Sequence, residues 1–425
     1  MTSARDIPPF ARLPGGLAPL GYRNFLLYWV GFVASNSGKW IEQTGAVWIT
    51  YELTGNPFLL GLLGIVRAVP TLLLTPLAGV IADRVDQRRL LFATQSLSMV
   101  ASLALGVLVV TNTVQLWEVY LQVGIQAAIT SVDSVARQSL FPRLIPRERL
   151  VEAVTLQSMA GRASNLIGPA IGGFAIAGLG EAAPFFLNAI SYLCLMGALA
   201  LVTGISARVG GVRESFRTEL TQGWVYILQT PVLRSLILLE VFYGLFAMNQ
   251  VMITIVAREQ LNVGPEGLGG LLSADAVGAL AGIGILLVVG ATSRPGRFAI
   301  LCTAGYAASI VAFGLTSTYV FSFAALVMTG LFDSLVSVTR NSLMQLAAPS
   351  GMRGRVMANQ GMIVRGMAPL SQTQSGFVSG LVGGPAAILL AGGVMAVGAV
   401  AVLRGNRALW TIQRDDVVRR PGRPL

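Results

Sequence analysis

Seven of the ionisable residues that stand inside long apolar runs of this chain are candidates for a substrate or proton site: Lys39, Glu42, Arg67, Arg162, Glu240, Asp275 and Arg365. A charge held away from water in a bilayer is costly, so it faces a cavity or a partner and marks a pathway for substrate or protons. Lys39 is the only lysine of the chain. Glu42 follows it by about one helical turn, on the same face. That pair suits a substrate or proton site and a structural ion pair equally well. Arg67 falls near the middle of its run, and Arg162 and Arg365 fall at equivalent depths in theirs. Glu240 and Asp275 are the candidates for carrying a proton, because burial disfavours the charged form of a carboxylate. Asp133 and Asp333 are placed to pair with loop arginines at the inner face.

A second concentration of charge runs Gly79-Val-Ile-Ala-Asp83-Arg84-Val-Asp86-Gln-Arg88-Arg89. It divides two apolar runs, 59–82 and 90–110, each long enough for the roughly 20 residues that cross a bilayer as a helix. It therefore reads as a tight turn between spans, and its arginines put it on the cytoplasmic side. Further along, Gly168-Pro169-Ala-Ile-Gly172-Gly173 should break a span and let helices approach closely. Gln157, Asn165, Asn249 and Gln250 could bond a ligand or a neighbouring helix.

Much chemistry is excluded. The chain has no histidine, so it offers no histidine relay or metal site. Cys194 and Cys302 each fall inside an apolar run and read as buried small hydrophobes. No GxxxxGK[ST] loop is present to cradle ATP. Neither a cofactor nor a metal is expected, and the chain does not read as an enzyme. The net charge of +11 does not point to nucleic acid, because the arginines sit in short loops between spans.

The elements that must carry these charges are transmembrane helices. Hydrophobic residues make up 54% of the 425 positions and charged residues only 12%, against about 25% charged in a soluble domain. The runs are far too long for barrel strands. The fold class is an all-α polytopic membrane protein, with twelve spans in two pseudo-symmetric six-helix bundles. The expected divisions are a cytoplasmic tail over 1–21, a bundle over 22–205, a linker with an amphipathic interfacial helix over 206–232, a second bundle over 233–403 and a basic tail over 404–425. Arginines fill the loops of one side, while Arg258 is alone on the other, which puts both termini in the cytoplasm. The halves match at one offset: Arg137-Gln-Ser-Leu with Arg340-Asn-Ser-Leu, Pro146 with Pro349, Arg162 with Arg365 and Gly173 with Gly376. Duplication of a six-span unit is a transporter signature.

The turn Gly79-x-x-x-Asp83-Arg84-x-x-x-Arg88-Arg89 resembles the loop between the second and third helices of the major facilitator superfamily. Tyr51-Glu-Leu-Thr-Gly-Asn-Pro57, Ala136-Arg-Gln-Ser-Leu140, Gly168-Pro169 and Arg353-Gly-Arg-Val-Met357 resemble its enterobactin-exporter-like branch of drug and siderophore exporters. The resemblance implies a secondary transporter, with proton-coupled export of a small amphipathic molecule through the cell membrane and a monomer as the working unit. It implies that Asp83, Arg84 and Arg88 lock the cytoplasmic side in one state. Two departures stand out. Asp86 stands where the superfamily loop usually has glycine, a place where this branch often has aspartate, and Gln122 lies near the place where drug antiporters carry a relay arginine. Arg162, Glu42, Glu240 and Asp275 are then the groups left for proton coupling. An importer or facilitator of the same fold, or a non-transporting lipid-handling or sensing protein, are the rival readings.

Overall fold

The computed structural model describes residues 15–203, 216–289, 292, 294–349, 351–405 and 410, and all their regular structure is helical. The α-helices are α1 (Arg23–Thr54), α2 (Pro57–Arg84), α3 (Gln87–Val110), α4 (Leu116–Leu140), α5 (Leu150–Leu179), α6 (Ala183–Leu201) and α7 (Phe216–Gln229), followed by α8 (Pro231–Phe246), α9 (Gln250–Glu259), α10 (Pro265–Val289), α11 (Pro295–Leu315), α12 (Tyr319–Ala347), α13 (Arg353–Val382) and α14 (Gly384–Gly405). Eight stretches among the described residues are long and apolar enough to cross a membrane. α1, α4, α5 and α13 are also long, and they fall outside that set because they are too polar. These four helices carry Lys39, Glu42, Asp133, Arg162 and Arg365. A membrane helix tolerates such residues when neighbouring helices satisfy them.

The chain separates into two compact units. The first holds Met1–Gly55, Val66–Gly211 and Pro265–Gly269, and the second holds Asn56–Ile65, Val212–Gly264 and Gly270–Leu425. In the first unit, α1 packs along α5 and α6, and α3 packs along α4 and α6. The approach of α1 to α6 depends on Gly38, where an added Cβ would meet Ser191 and Asn188. Phe25, Tyr28, Leu91, Leu140, Phe141 and Leu195 fill an apolar core at one end of this unit. In the second unit, α11 packs on α12 and α14, and α13 packs on α8. Its core gathers Leu233, Leu236, Leu343, Met344 and Val356 with Ile227 of α7. Ile227 anchors α7, while Trp224, Val225 and Leu228 stay exposed. Arg208, Arg213 and Glu214 of the linker lie outside the described residues, as do most arginines of the C-terminal tail.

Several sequence expectations change. The expected seventh span, 233–256, is two helices, α8 and α9, parted at Ala247, Met248 and Asn249. The Asn249 side chain accepts from the backbone N–H of Val251 at 3.1 Å and of Met252 at 3.2 Å, a capping arrangement that competes with helix continuation. Conversely, α5 runs unbroken through Pro169. A proline removes only one backbone donor, and Gly168 and Gly172 on the same face let the helix lie directly on Ile41 and Thr44 of α1. α4 and α12 extend past their expected ends at 136 and 338, which brings Arg137 and Arg340 inside helices rather than into loops. Cys302 is buried as expected, but Cys194 is exposed on α6, where its small side chain faces outward with the apolar Ile190 and Leu193.

Candidate functional site

α1 directs its polar residues at α3, α4 and α6. Glu42 is buried and accepts hydrogen bonds from Ser102 of α3, Gln122 and Gln126 of α4, and Asn188 of α6. Every one of these donors is neutral, and no cation stands within ion-pair distance of Glu42 among the described residues. Gln122, the residue in place of a relay arginine, is thus a direct partner of Glu42.

Lys39 turns away from Glu42. Its Nζ lies 3.5 Å from Oδ2 of Asp133, which also receives Arg137 Nε at 2.5 Å. The other Asp133 oxygen accepts from Gln95 at 2.6 Å and Thr94 at 3.2 Å. Arg137 donates on to Ser35 of α1 at 3.2 Å and sits over the Phe32 ring at 5.6 Å. Asp133 therefore does pair with Arg137, but within a helix, four residues apart, rather than with a loop. Arg67 is half-buried on α2 within electrostatic reach of Glu42. Its guanidinium makes no hydrogen bond or ion pair among the described residues. Arg162 lies on an exposed polar stripe of α5 with Thr155, Ser158 and Asn165.

In the second unit Glu240 of α8 does not stand alone. Arg340 Nε lies 2.6 Å from its Oε2, Arg340 Nη2 donates to its Oε1 at 2.7 Å, and Gln360 donates to Oε2 at 3.2 Å. Arg340 also lies over the ring of Tyr243, 5.0 Å from its centroid. Asp333 of α12 accepts from the Tyr243 hydroxyl. Tyr243 stacks against Tyr306 at 4.6 Å, and the Tyr306 hydroxyl accepts from Met248 N–H at the break between α8 and α9. Asp275 of α10 is half-buried within electrostatic reach of Asp333. Its carboxylate has no hydrogen bond or ion pair among the described residues. Arg365 is exposed on α13. Asn249 bridges to α13 through Ser371 at 3.1 Å and Ser375 at 2.8 Å.

Of the charged turn, Gly79, Asp83 and Arg84 belong to α2 by backbone, and their side chains lie outside the described residues. Asp86 is the N-cap of α3 and accepts from Arg89 N–H at 2.9 Å, which gives a physical reason for an acid in place of glycine. Arg88 donates to the Ala200 carbonyl at 2.9 Å and so ties the start of α3 to the end of α6. Arg143 donates to Gln87 at 3.0 Å. Asp86, Arg88, Arg89, Phe92, Leu140 and Arg143 line a cleft of about 310 Å³. Gly168 and Gly172 face α1, and Gly173 packs backbone to backbone on Gly269.

Sequence reasoning brought Lys39, Glu42, Glu240 and Asp275 forward and missed most of what holds them. Gln122 and Gln126 carried a signal, since residues four apart share one helix face. Asp133 and Arg137 carried the same signal, hidden because Arg137 was assigned to a basic loop. The pairing of Arg340 with Glu240 had no local signal.

The family model described as "transmembrane secretion effector" matches residues 14–419. The multidrug efflux pump Tap of Mycolicibacterium fortuitum is 25% identical over 365 residues, covering 83% of this chain and 88% of that protein. The enterobactin exporter EntS of Shigella boydii is 23% identical over 316 residues, covering 74% and 72%. Among solved structures, a POT family transporter in complex with a thioalcohol-conjugated peptide superposes with a TM-score of 0.71 at 14% identity, covering 93% of this chain and 99% of that one, a likeness of fold. With its helices, its buried charge clusters and a family match along nearly its whole length, the chain belongs to the transmembrane secretion effector family of major facilitator superfamily transporters.

Proposed function

We propose that this multi-pass membrane protein is a secondary active exporter, moving a small amphipathic molecule, drug-like or siderophore-like, out of the cytoplasm in exchange for protons. Twelve spans in two six-helix repeats work by alternating access. α8 and α9 together count as one span, and both termini lie in the cytoplasm, on the side where the loops are rich in arginine. Kinship with an efflux pump and a siderophore exporter supports the direction of transport. Asp83, Arg84 and Arg88 act as the latch of the cytoplasmic side, with Asp83 placed to accept N–H groups at a helix start.

One observation carries the coupling. Asp275 and Asp333 are two carboxylates within electrostatic reach of each other, and Asp275 has no cation or donor bound to it among the described residues. Like charges in a poorly solvated site cannot both persist without a counter-ion, and a mobile proton serves that role. Asp275 is half-buried rather than sealed, so a proton can reach it. The test begins with metabolite profiles of cells with and without the protein, followed by flux of the accumulated compound in inside-out vesicles. Accumulation should collapse with a protonophore, and Asp275→Asn should uncouple it. Accumulation that persists undiminished under the protonophore would refute proton exchange.

A further inference from the structure

The charges of the first unit do not cancel. Arg137 neutralises Asp133: it is the nearer cation, it bonds Ser35 as well, and it is packed against Phe32. Lys39 is the farther partner of the same carboxylate oxygen. Its side chain keeps 27% of its surface exposed, while that of Asp133 keeps 2%. An ammonium has three donors, and among the described residues one acceptor, Asp133, stands within reach of this one. Lys39 therefore reaches an accessible space with donors to spare, and the carboxylate it touches is already balanced by Arg137. Arg67 repeats the pattern on α2, half-buried and with no hydrogen bond among the described residues. Glu42, the remaining acid, is enclosed by its own four neutral donors. Lys39, Arg67 and Arg137 thus face Glu42 and Asp133, an excess of one positive charge inside a membrane helix bundle. Arg162, exposed on α5, adds to it.

An uncompensated cation in such a place calls for an anion. Water can solvate part of Lys39, but a transported anion does so with opposite charge and a directed, charge-assisted hydrogen bond. We infer that Lys39, supported by Arg67, is the recognition point for an anionic head group, and that the cargo is an amphipathic acid such as a carboxylate carried on an apolar body. This inference rests on the export reading above and names its substrate class. It also bears on energetics. Outward movement of an anion is favoured by an inside-negative potential, so exchange of one monoanion for one proton moves two charges and draws on the potential as well as the pH gradient.

The test uses the full-length protein in neutral detergent and three probes of one shape: 1-naphthoate, its methyl ester and 1-naphthylmethylammonium. The readout is the shift of the thermal unfolding midpoint with probe concentration. Naphthoate should raise the midpoint, and the ester and the amine should not. Lys39→Ala should weaken naphthoate binding about tenfold or more, the scale of one lost hydrogen bond to a charged group, and Lys39→Arg should retain most of it. Arg67→Ala, away from the Asp133 cluster, provides a second variant with a smaller loss if Lys39→Ala does not fold. Equal shifts with the ester, a preference for the amine, no shift with naphthoate at its solubility limit, or undiminished binding in both alanine variants would each overturn the assignment. The two readings fail separately. If naphthoate binds and its vesicle flux ignores a protonophore, the coupling is wrong and the anion site stands. If a cationic or neutral metabolite is exported in a protonophore-sensitive way, the anion site is wrong and the coupling stands.

Discussion

Arg137 and Arg340 open matching Arg-x-Ser-Leu stretches of the sequence, and they meet different acids. Arg340 reaches across to Glu240 on α8, and the two form a buried pair with Gln360 as the third member. Arg137 finds Asp133 on its own helix, and Lys39 arrives from α1 as a second cation on the same oxygen. The equivalent arginine therefore closes a neutral pair in one unit and leaves a surplus cation in the other. In the second unit the contrast lies elsewhere, at Asp275, which is within electrostatic reach of a second carboxylate, Asp333. Two arginines at one sequence offset thus differ in the acid that each balances. On the reading proposed above, Lys39 serves a negatively charged group and Asp275 a proton.

The largest expected effect separates the two arginine nodes. Removal of one partner from a buried ion pair costs about 3–5 kcal/mol, because the other charge is left uncompensated. Asp133→Ala strands two cations, whereas Glu240→Ala strands one. Thermal unfolding of the purified variants should find Asp133→Ala the less stable of the two. The reverse order would mean that Lys39 is not a partner of Asp133 in the folded protein. The second unit permits a finer check. Replacing both members together, Glu240→Gln with Arg340→Met, should be less destabilising than either single change, since no unpaired charge remains. A double variant that loses the sum of the single losses would show that the pair is not the unit of stability there.

Asp275→Asn should behave in the opposite way. Its carboxylate holds no hydrogen bond or ion pair among the described residues, so its replacement should move stability by no more than about 0.5 kcal/mol. The same change should abolish the response of transport to a pH gradient, measured by vesicle flux at fixed substrate. Strong destabilisation by Asp275→Asn would make it a structural group and remove the contrast with Asp133.

These contrasts were only partly readable beforehand. Helix positions followed from apolar run length, because a bilayer demands internally bonded backbone over a known thickness. Arg162 and Arg365, matched by offset, are both exposed in the middle of equivalent helices, α5 and α13. Partner choice was not readable, because it depends on which neighbour a face meets. Lys39 and Glu42 share a face of α1, yet one turns to Asp133 and the other to α3, α4 and α6. Run length also conceals helix breaks. Ala247 and Met248 are apolar enough to pass as helix, and the break there comes from the Asn249 side chain capping α9. Pro169 misled in the other direction, since one missing donor is offset by close packing against α1.

The smallest effect tests whether the asymmetry of the charged turn is local. α3 begins with Asp86, whose carboxylate accepts from Arg89 N–H. The corresponding helix of the second unit, α11, begins with Arg294 and Pro295 and has no side-chain cap. Asp86→Ala should cost about 1 kcal/mol, the usual worth of an N-cap. Arg294→Asp should gain a few tenths up to about 1 kcal/mol by supplying the missing acceptor beside the positive end of the helix. Unfolding midpoints of the two variants should therefore move in opposite directions. If Asp86→Ala leaves the midpoint in place but alters transport, Asp86 belongs to the latch with Asp83 and Arg84, and its capping bond is incidental. If both midpoints move as expected and transport is unchanged, the acid at this position is there to start α3, and the latch is confined to the end of α2.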